Sequence, residues 1–152
     1  MVCSRGKDGR YDLAPVAWTC PLDYEPVSRA LVVMDPGHQS VRNVEAAGSF
    51  VLALPTWEQK GLVVSAGSVS GKDADKYEKF GLAAFRAAEV DALVPEGVAG
   101  WLECRLMEAR AIGSVVLLAG EVVVAAAVSD AWRLRLHMAG DGVFYRPGVM
   151  VE

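Results

Sequence analysis

The sequence predicts a mainly β protein, a closed β-barrel carrying short helices, in a single domain over residues 1–152. Three observations carry this. Ala30-Leu31-Val32-Val33-Met34 is an unbroken apolar run rich in β-branched residues, as in a strand buried on both faces. From Val98 to Arg110 the chain alternates, with Leu102, Cys104 and Leu106 on one face and Glu103, Arg105 and Met107 on the other. Such stretches recur between turn residues, with only short helical patterns and no repeat, linker or low-complexity segment among them. A chain of 152 residues suits one domain. At that size it buries about 68–70% of its unfolded surface and needs no staples to fold.

Taken in order, Val2 to Ser4 is the stub of a strand, and Arg5 to Arg10 is a polar loop with two glycines. Asp12 to Cys20 is an extended segment, and Pro21 to Pro26 is a loop. After the Ala30–Met34 strand, Asp35-Pro36-Gly37 is turn chemistry. A short helix runs from about His38 to Ala47, with Val41, Val44 and Ala47 on one side and Gly48 as its stop. Phe50 to Leu54 is a strand. Thr56 followed by Gln59 matches a capping box and opens a second helix, closed by Gly67. Ser68 to Asp73 is a polar glycine-containing loop, Asp75 to Phe80 a helical turn or two, and Phe85 to Gly97 an irregular excursion. The alternating strand ends at a turn over Ala111 to Ser114. Val115 to Val128 is a long strand with a bulge or bend at Gly120. Asp130 to Ala139 is briefly helical, and Val143 to Tyr145 is a last short strand.

Composition narrows the function classes. The net charge is −4 and no Lys/Arg stripe is present, which argues against a nucleic-acid partner. The start, Met1-Val2-Cys3-Ser4-Arg5, lacks the apolar stretch of a signal peptide. The longest apolar run, Val115 to Val128, is shorter than a membrane span and contains Glu121. Three cysteines, Cys3, Cys20 and Cys104, form no Cys-x-x-Cys pair and read as buried reduced thiols, so a cytoplasmic protein with no membrane association is expected. Hydrophobic residues make up 53%, which fits either apolar surface buried between subunits or an Ala/Val-heavy composition. No Ser/His/Asp arrangement, metal-ligand spacing or Gly-x-Gly-x-x-Gly occurs, so no catalytic side chain and no metal site is assigned.

Two local patterns could carry a ligand. In Tyr11-Asp12-Leu13-Ala14-Pro15-Val16-Ala17-Trp18, small apolar residues around a proline leave room for a flat ligand against the backbone. The same residues also suit a strand entry with proline at a sheet edge. The helix starting near Gln39 presents free N–H groups and a positive dipole end. There Ser40 could add a hydroxyl, Arg42 a charge and Asn43 an amide.

These stretches have a family counterpart. Asp12 to Trp18, Met34 to Val44 and Gly67-Ser68-Val69-Ser70-Gly71-Lys72-Asp73-Ala74-Asp75-Lys76-Tyr77-Glu78-Lys79-Phe80 come in an order and spacing similar to the flavin reductase-like family. That family comprises FMN-binding split β-barrels of Greek-key type and includes the flavoredoxins. Gly100 to Arg105 and Ala119 to Val122 resemble two later family strands, so the resemblance runs from about Val2 to about Tyr145.

The resemblance implies a non-covalently bound FMN. Its phosphate would lie at the helix entry of Met34, His38, Gln39, Ser40 and Asn43, and its ring along Asp12, Leu13, Ala14, Pro15, Val16, Ala17 and Trp18. Lys76 would reach the flavin or its phosphate, and Phe144 would cover the ring from the C-terminal segment. Asp12 stands where the family more usually has Asn; ionised, it can accept from the ring N3–H but cannot donate. A histidine that some members carry near the Ser114–Val115 position is absent, and His137 reads as structural or interfacial. The implied activity is NAD(P)H-dependent flavin oxidoreduction, with NAD(P)H as a transient donor of hydride to flavin N5. The alternatives are flavoredoxin-type electron transfer with a redox protein partner, and non-catalytic flavin binding. The cofactor would carry the chemistry. The family also implies a homodimer with the flavin at or near the subunit interface.

Overall fold

The computed structural model describes residues 1–148. Seven strands form one antiparallel sheet: β1 (Val2–Arg5), β2 (Tyr11–Ala14), β3 (Thr19–Asp23), β4 (Arg29–Met34), β5 (Ser49–Leu54), and two long strands that run to Ile112 and from Val115. Between β5 and that pair lie β6 (Ala84–Arg86) and β7 (Leu93–Pro95); the pair itself is β8 (Gly100–Ile112) and β9 (Val115–Ala127). The strand order is β2-β1-β5-β8-β9-β4-β3. β4 and β5 are consecutive in the chain but separated in the sheet by β8 and β9. Helix α1 (Gln39–Ala47) makes that crossing. Helices α2 (Lys60–Gly67) and α3 (Lys76–Lys79) follow β5, and a small hairpin of β10 (His137–Gly140) and β11 (Val143–Tyr145) follows β9. None of these helices is long and apolar enough to cross a membrane.

Strands β1 and β5 are buried on both faces, whereas β4, expected to be, alternates: Ala30, Val32 and Met34 are buried, and Leu31 and Val33 on the other face are only half-buried. One core holds Val2, Ala30, Val32, Met34, Phe50, Leu52, Cys104 and Leu118, and α1 adds Val41 and Val44. This is the barrel interior. The other face packs Cys3, Leu13, Val51 and Ala53 against Ala66 of α2, Tyr77 of α3 and Val94 of β7. Burial pushes the Cys3 thiol up to about 11 and the Cys104 thiol up to about 12, so both are packing groups rather than nucleophiles.

Five further expectations need correction. Pro21 lies inside β3, not in a loop. β3 is an outer strand with β4 as its one partner, where a missing N–H costs no ladder bond. For the same reason Cys20 is exposed rather than buried. Residues Phe85 to Gly97 contain the β6–β7 hairpin, and Ala131–Leu134 is one 3-10 turn followed by β10 rather than a helix. The turn between β8 and β9 is only Gly113-Ser114, with Gly113 at φ +58°, because the ladder continues to Ile112↔Val115.

Gly120 does mark an irregularity, but the extra residue sits opposite it. Leu106 pairs with Gly120 and Glu108 with Ala119, leaving Met107 as the bulge. Gly120 has a separate requirement: a Cβ there would lie 2.8 Å from Phe50 Cζ and 2.9 Å from Cys104 Cβ.

Glu103 projects from β8 away from the barrel interior, yet is 1% exposed. Its carboxylate accepts the N–H groups of Ala88 (3.0 Å), Glu89 (2.7 Å) and Val90 (3.3 Å), and the Trp101 indole N–H (3.3 Å). The β6–β7 turn is thereby pinned to the sheet. Burial pushes the carboxyl up, but these four donors outweigh it and hold Glu103 below its usual range.

Candidate functional site

The site forms where the outer strand β2 ends. Pro15 to Trp18 leaves β2 and crosses to β3, the strand at the opposite edge of the sheet. The expected single extended segment from Asp12 to Cys20 is thus two strands with a bridge between them. The bridge is anchored at one point by the Val33 N–H donating to the Trp18 carbonyl at 2.9 Å.

Below the bridge α1 begins. His38 caps it in extended geometry (φ −65°, ψ 136°) without a side-chain hydrogen bond, so its first-turn N–H groups receive no side-chain cap. Asp75 supplies the missing kind of cap to α3: its carboxylate accepts from the Tyr77 and Glu78 N–H groups. This fixes the direction of Lys76, which is 3% exposed and reaches β2. Lys76 Nζ donates to the Leu13 carbonyl at 2.7 Å and lies 3.1 Å from Asp12 Oδ1. Asp12 Oδ2 accepts the Ser40 hydroxyl at 2.7 Å. Asp12, Ser40 and Lys76 therefore form one buried cluster joining β2, α1 and α3.

Three adjacent cavities share Pro15 as a wall. A polar one of about 270 Å³ is lined by Asp12, Gly37 to Ser40, Gly67 to Gly71 and Lys76. A second, of about 380 Å³, lies beyond Pro15 and His38 among Val16, Ala17, Trp18, Met34 and Ser114. A third, of about 330 Å³, lies among Val16, Ala17, Leu54, Trp132, His137 and Phe144. Each has the size of a small-molecule subsite.

Most of the expected residues converge here. Asp12, Ala14, Pro15, His38, Gln39, Ser40 and Lys76 surround the polar cavity; Val16, Ala17, Trp18 and Met34 join Pro15 around the second. Leu13 contributes its carbonyl to Lys76, while its side chain is fully buried in the core. Asn43 does not reach the polar cavity: it is buried, donates to Ser4 Oγ at 3.3 Å and accepts from Gln39 Nε2 at 2.9 Å. Arg42 points instead to a surface hollow with Lys7 and Glu45. Phe144 lines only the third cavity, and Lys60 Nζ sits 5.5 Å from its ring centroid. His137 stacks on Tyr145 at 5.2 Å; burial first, and then the Arg135 charge, push it down.

The loop Ser68-Val69-Ser70-Gly71 was not among the expected site residues, yet it forms one whole wall. Its signal was Gly71: a Cβ there would lie 2.4–2.5 Å from the Asp12 carboxyl atoms, so only glycine lets this loop close over β2.

The antiparallel split barrel thus carries a donor-lined cavity beside a more apolar one, with Pro15 and His38 as shared walls. Residues 1–143 match the model of the flavin reductase like domain. The chain belongs to that family. It is 32% identical over 155 residues to the uncharacterized protein YddH of Escherichia coli K12, covering 93% of this chain and 82% of that protein. An FMN-binding protein from Thermus thermophilus, crystallised with p-hydroxybenzaldehyde, superposes with a TM-score of 0.87 at 24% identity, over 99% of this chain and 86% of that one. Flavoredoxin from Methanosarcina acetivorans superposes with a TM-score of 0.87 at 18% identity, over 99% and 84%. These likenesses bear out the expected fold.

Proposed function

We propose that this chain binds FMN non-covalently and serves as an NAD(P)H-dependent flavin oxidoreductase. The observation that carries the reading is the pair of adjacent cavities that share Pro15 and His38 as walls. The donor-lined one at the start of α1 suits a phosphate and a hydroxylated chain, and the apolar one along Pro15 to Trp18 suits a flat ring. FMN, when bound, would supply hydride acceptance at its ring N5.

The protein's part is binding, orientation and electrostatics. The uncapped first turn of α1 and the Ser68–Gly71 loop would receive the phosphate. Asp12 Oδ1 is buried and faces Lys76 Nζ at 3.1 Å without a hydrogen bond to it, so it keeps the capacity to accept from a ligand O–H or N–H. The bridge residues would lie along the ring, with Trp18, 66% exposed, at its outer rim.

The test is anaerobic stopped-flow of the FMN-loaded protein with NADH and NADPH. Bleaching of the flavin bands by either nucleotide is expected. Reduction by a small redox protein with no response to either nucleotide would favour flavoredoxin-type transfer instead. A protein that shows no flavin bands after incubation with FMN would refute the reading at its base.

A homodimer belongs to the same proposal. Leu22 and Tyr24 on and after β3, and Met107 and Ile112 on β8, expose large apolar side chains that a second copy would cover. Sedimentation of the FMN-loaded protein should give a dimer at micromolar concentration, and a monomer would refute it.

A further inference from the structure

We infer that Asp12 is a built-in anion that engages two of the polar cavity's donors, Ser40 and Lys76, and sets how strongly the site favours phosphorylated over unphosphorylated flavin. The inference rests on the flavin reading above and concerns this chain's own residues.

Asp12 is 3% exposed and lines the polar cavity. Ser40 donates to one of its oxygens at 2.7 Å, Lys76 Nζ stands 3.1 Å from the other, and the Gly71 backbone leaves no room even for a Cβ beside it. Ser40 and Lys76 are two of the side-chain donors lining the cavity, and Lys76 is its one lysine or arginine. Both are already turned towards an internal carboxylate. Lys76 is further held by the Leu13 carbonyl at 2.7 Å.

The charge balance follows directly. Among the residues lining the polar cavity, Lys76 and Asp12 are the one Lys/Arg and the one Asp/Glu, and their formal charges cancel. The cavity thus offers hydrogen-bond donors without net positive charge. A phosphate dianion would meet the Asp12 charge at close range across a poorly screened interior. A hydroxylated chain meets no such repulsion, and it can donate to the Oδ1 atom that the protein leaves without a hydrogen-bond partner. Asp12 therefore lowers the advantage that a phosphate would confer, and shifts recognition towards the hydroxyls.

Asp12→Asn tests this. The amide keeps the shape and can still accept from Ser40, but it removes the charge. FMN and riboflavin are titrated by fluorescence quenching against wild type and variant. The ratio of FMN to riboflavin affinity should rise about tenfold or more in the variant, equivalent to about 1.4 kcal/mol or more. An unchanged ratio, or a fall in FMN affinity, would overturn the inference; the latter would make Asp12 an orienter of Lys76 for the phosphate.

A flavin-free arm separates the two readings. Thermal stabilisation by inorganic phosphate should be larger in Asp12→Asn than in wild type, and equal stabilisation overturns the inference. If neither flavin binds either protein while phosphate still favours the variant, the flavin assignment fails and the built-in anion stands. Asp12→Ser, also neutral and able to pair with Ser40, should shift both readouts in the same direction and serves if the amide variant misfolds.

Discussion

Replacing Lys76 by Met isolates the energetics of the buried cluster. The substitution keeps a long apolar stem and deletes the ammonium. It leaves the Asp12 carboxylate, 3% exposed, with Ser40 as its remaining donor, and it strips the Leu13 carbonyl of its lysine. Removing one partner of a buried pair typically costs about 3–5 kcal/mol, because the other charge stays desolvated and uncompensated. For a domain of this size each kcal/mol lowers Tm by about 2–4 °C, so a fall of about 6–20 °C is expected. The double variant Asp12→Asn/Lys76→Met removes the stranded charge as well. It should recover about 1–3 kcal/mol of the loss, the usual coupling of residues in direct contact. Urea unfolding followed by tryptophan fluorescence, run on wild type, both single variants and the double variant, closes the cycle. A Lys76→Met protein within about 1 kcal/mol of wild type would refute the reasoning. So would a double variant no more stable than Lys76→Met, since the penalty would then not come from the carboxylate.

Two further outcomes are expected. Glu103→Gln should cost about 2 kcal/mol at neutral pH, since hydrogen bonds to a charged acceptor contribute about 1.5–3 kcal/mol. The sign of its pH dependence follows from the depressed Glu103 carboxyl. Its contribution is fully present above the unfolded value of about 4.3 and is lost as pH falls through the folded value. Urea midpoints of the two proteins should therefore converge below that range; a gap that stays constant from pH 7 downwards would show that Glu103 acts only through shape. Trp18→Ala should weaken FMN and riboflavin alike while leaving Tm nearly unchanged, because the ring is 66% exposed and away from the phosphate end. A loss confined to FMN would put Trp18 at the wrong end of the site.

Much of this arrangement was legible beforehand, for physical reasons that can be named. A strand with one face buried and the other half-covered still writes a continuous apolar run, as in Ala30–Met34, and a helix that inserts Val41 and Val44 into a barrel writes the spacing of its buried face. Local chemistry also survived: the Gln59 side chain accepts from the Thr56 N–H at 3.1 Å, and Gly48 ends α1 at φ +66°. What was not legible depended on long-range partners. Pro21 reads as a loop until β3 is known to be an outer strand. That Ser40 and Lys76 would both meet Asp12 was not legible, because nothing local says that residues 28 and 64 positions from it will pair with it. Asn43 belongs to the same class: its partner Ser4 lies 39 residues away.

The bridge from Pro15 to Trp18 gives the barrel a seam. No ladder joins β2 to β3, although they are the two ends of the strand order, so the closure there is covalent chain rather than hydrogen-bonded sheet. A molecule lying along that chain, held below by the start of α1 and by the Ser68–Gly71 loop, would act as a stitch across the seam. Binding of this kind raises the free energy of local opening where the ligand sits. Amide exchange should then slow together at the two outer strands, which are far apart in the ladder, while the β8–β9 hairpin keeps its own rate. The cofactor would in that case complete the barrel as much as occupy it.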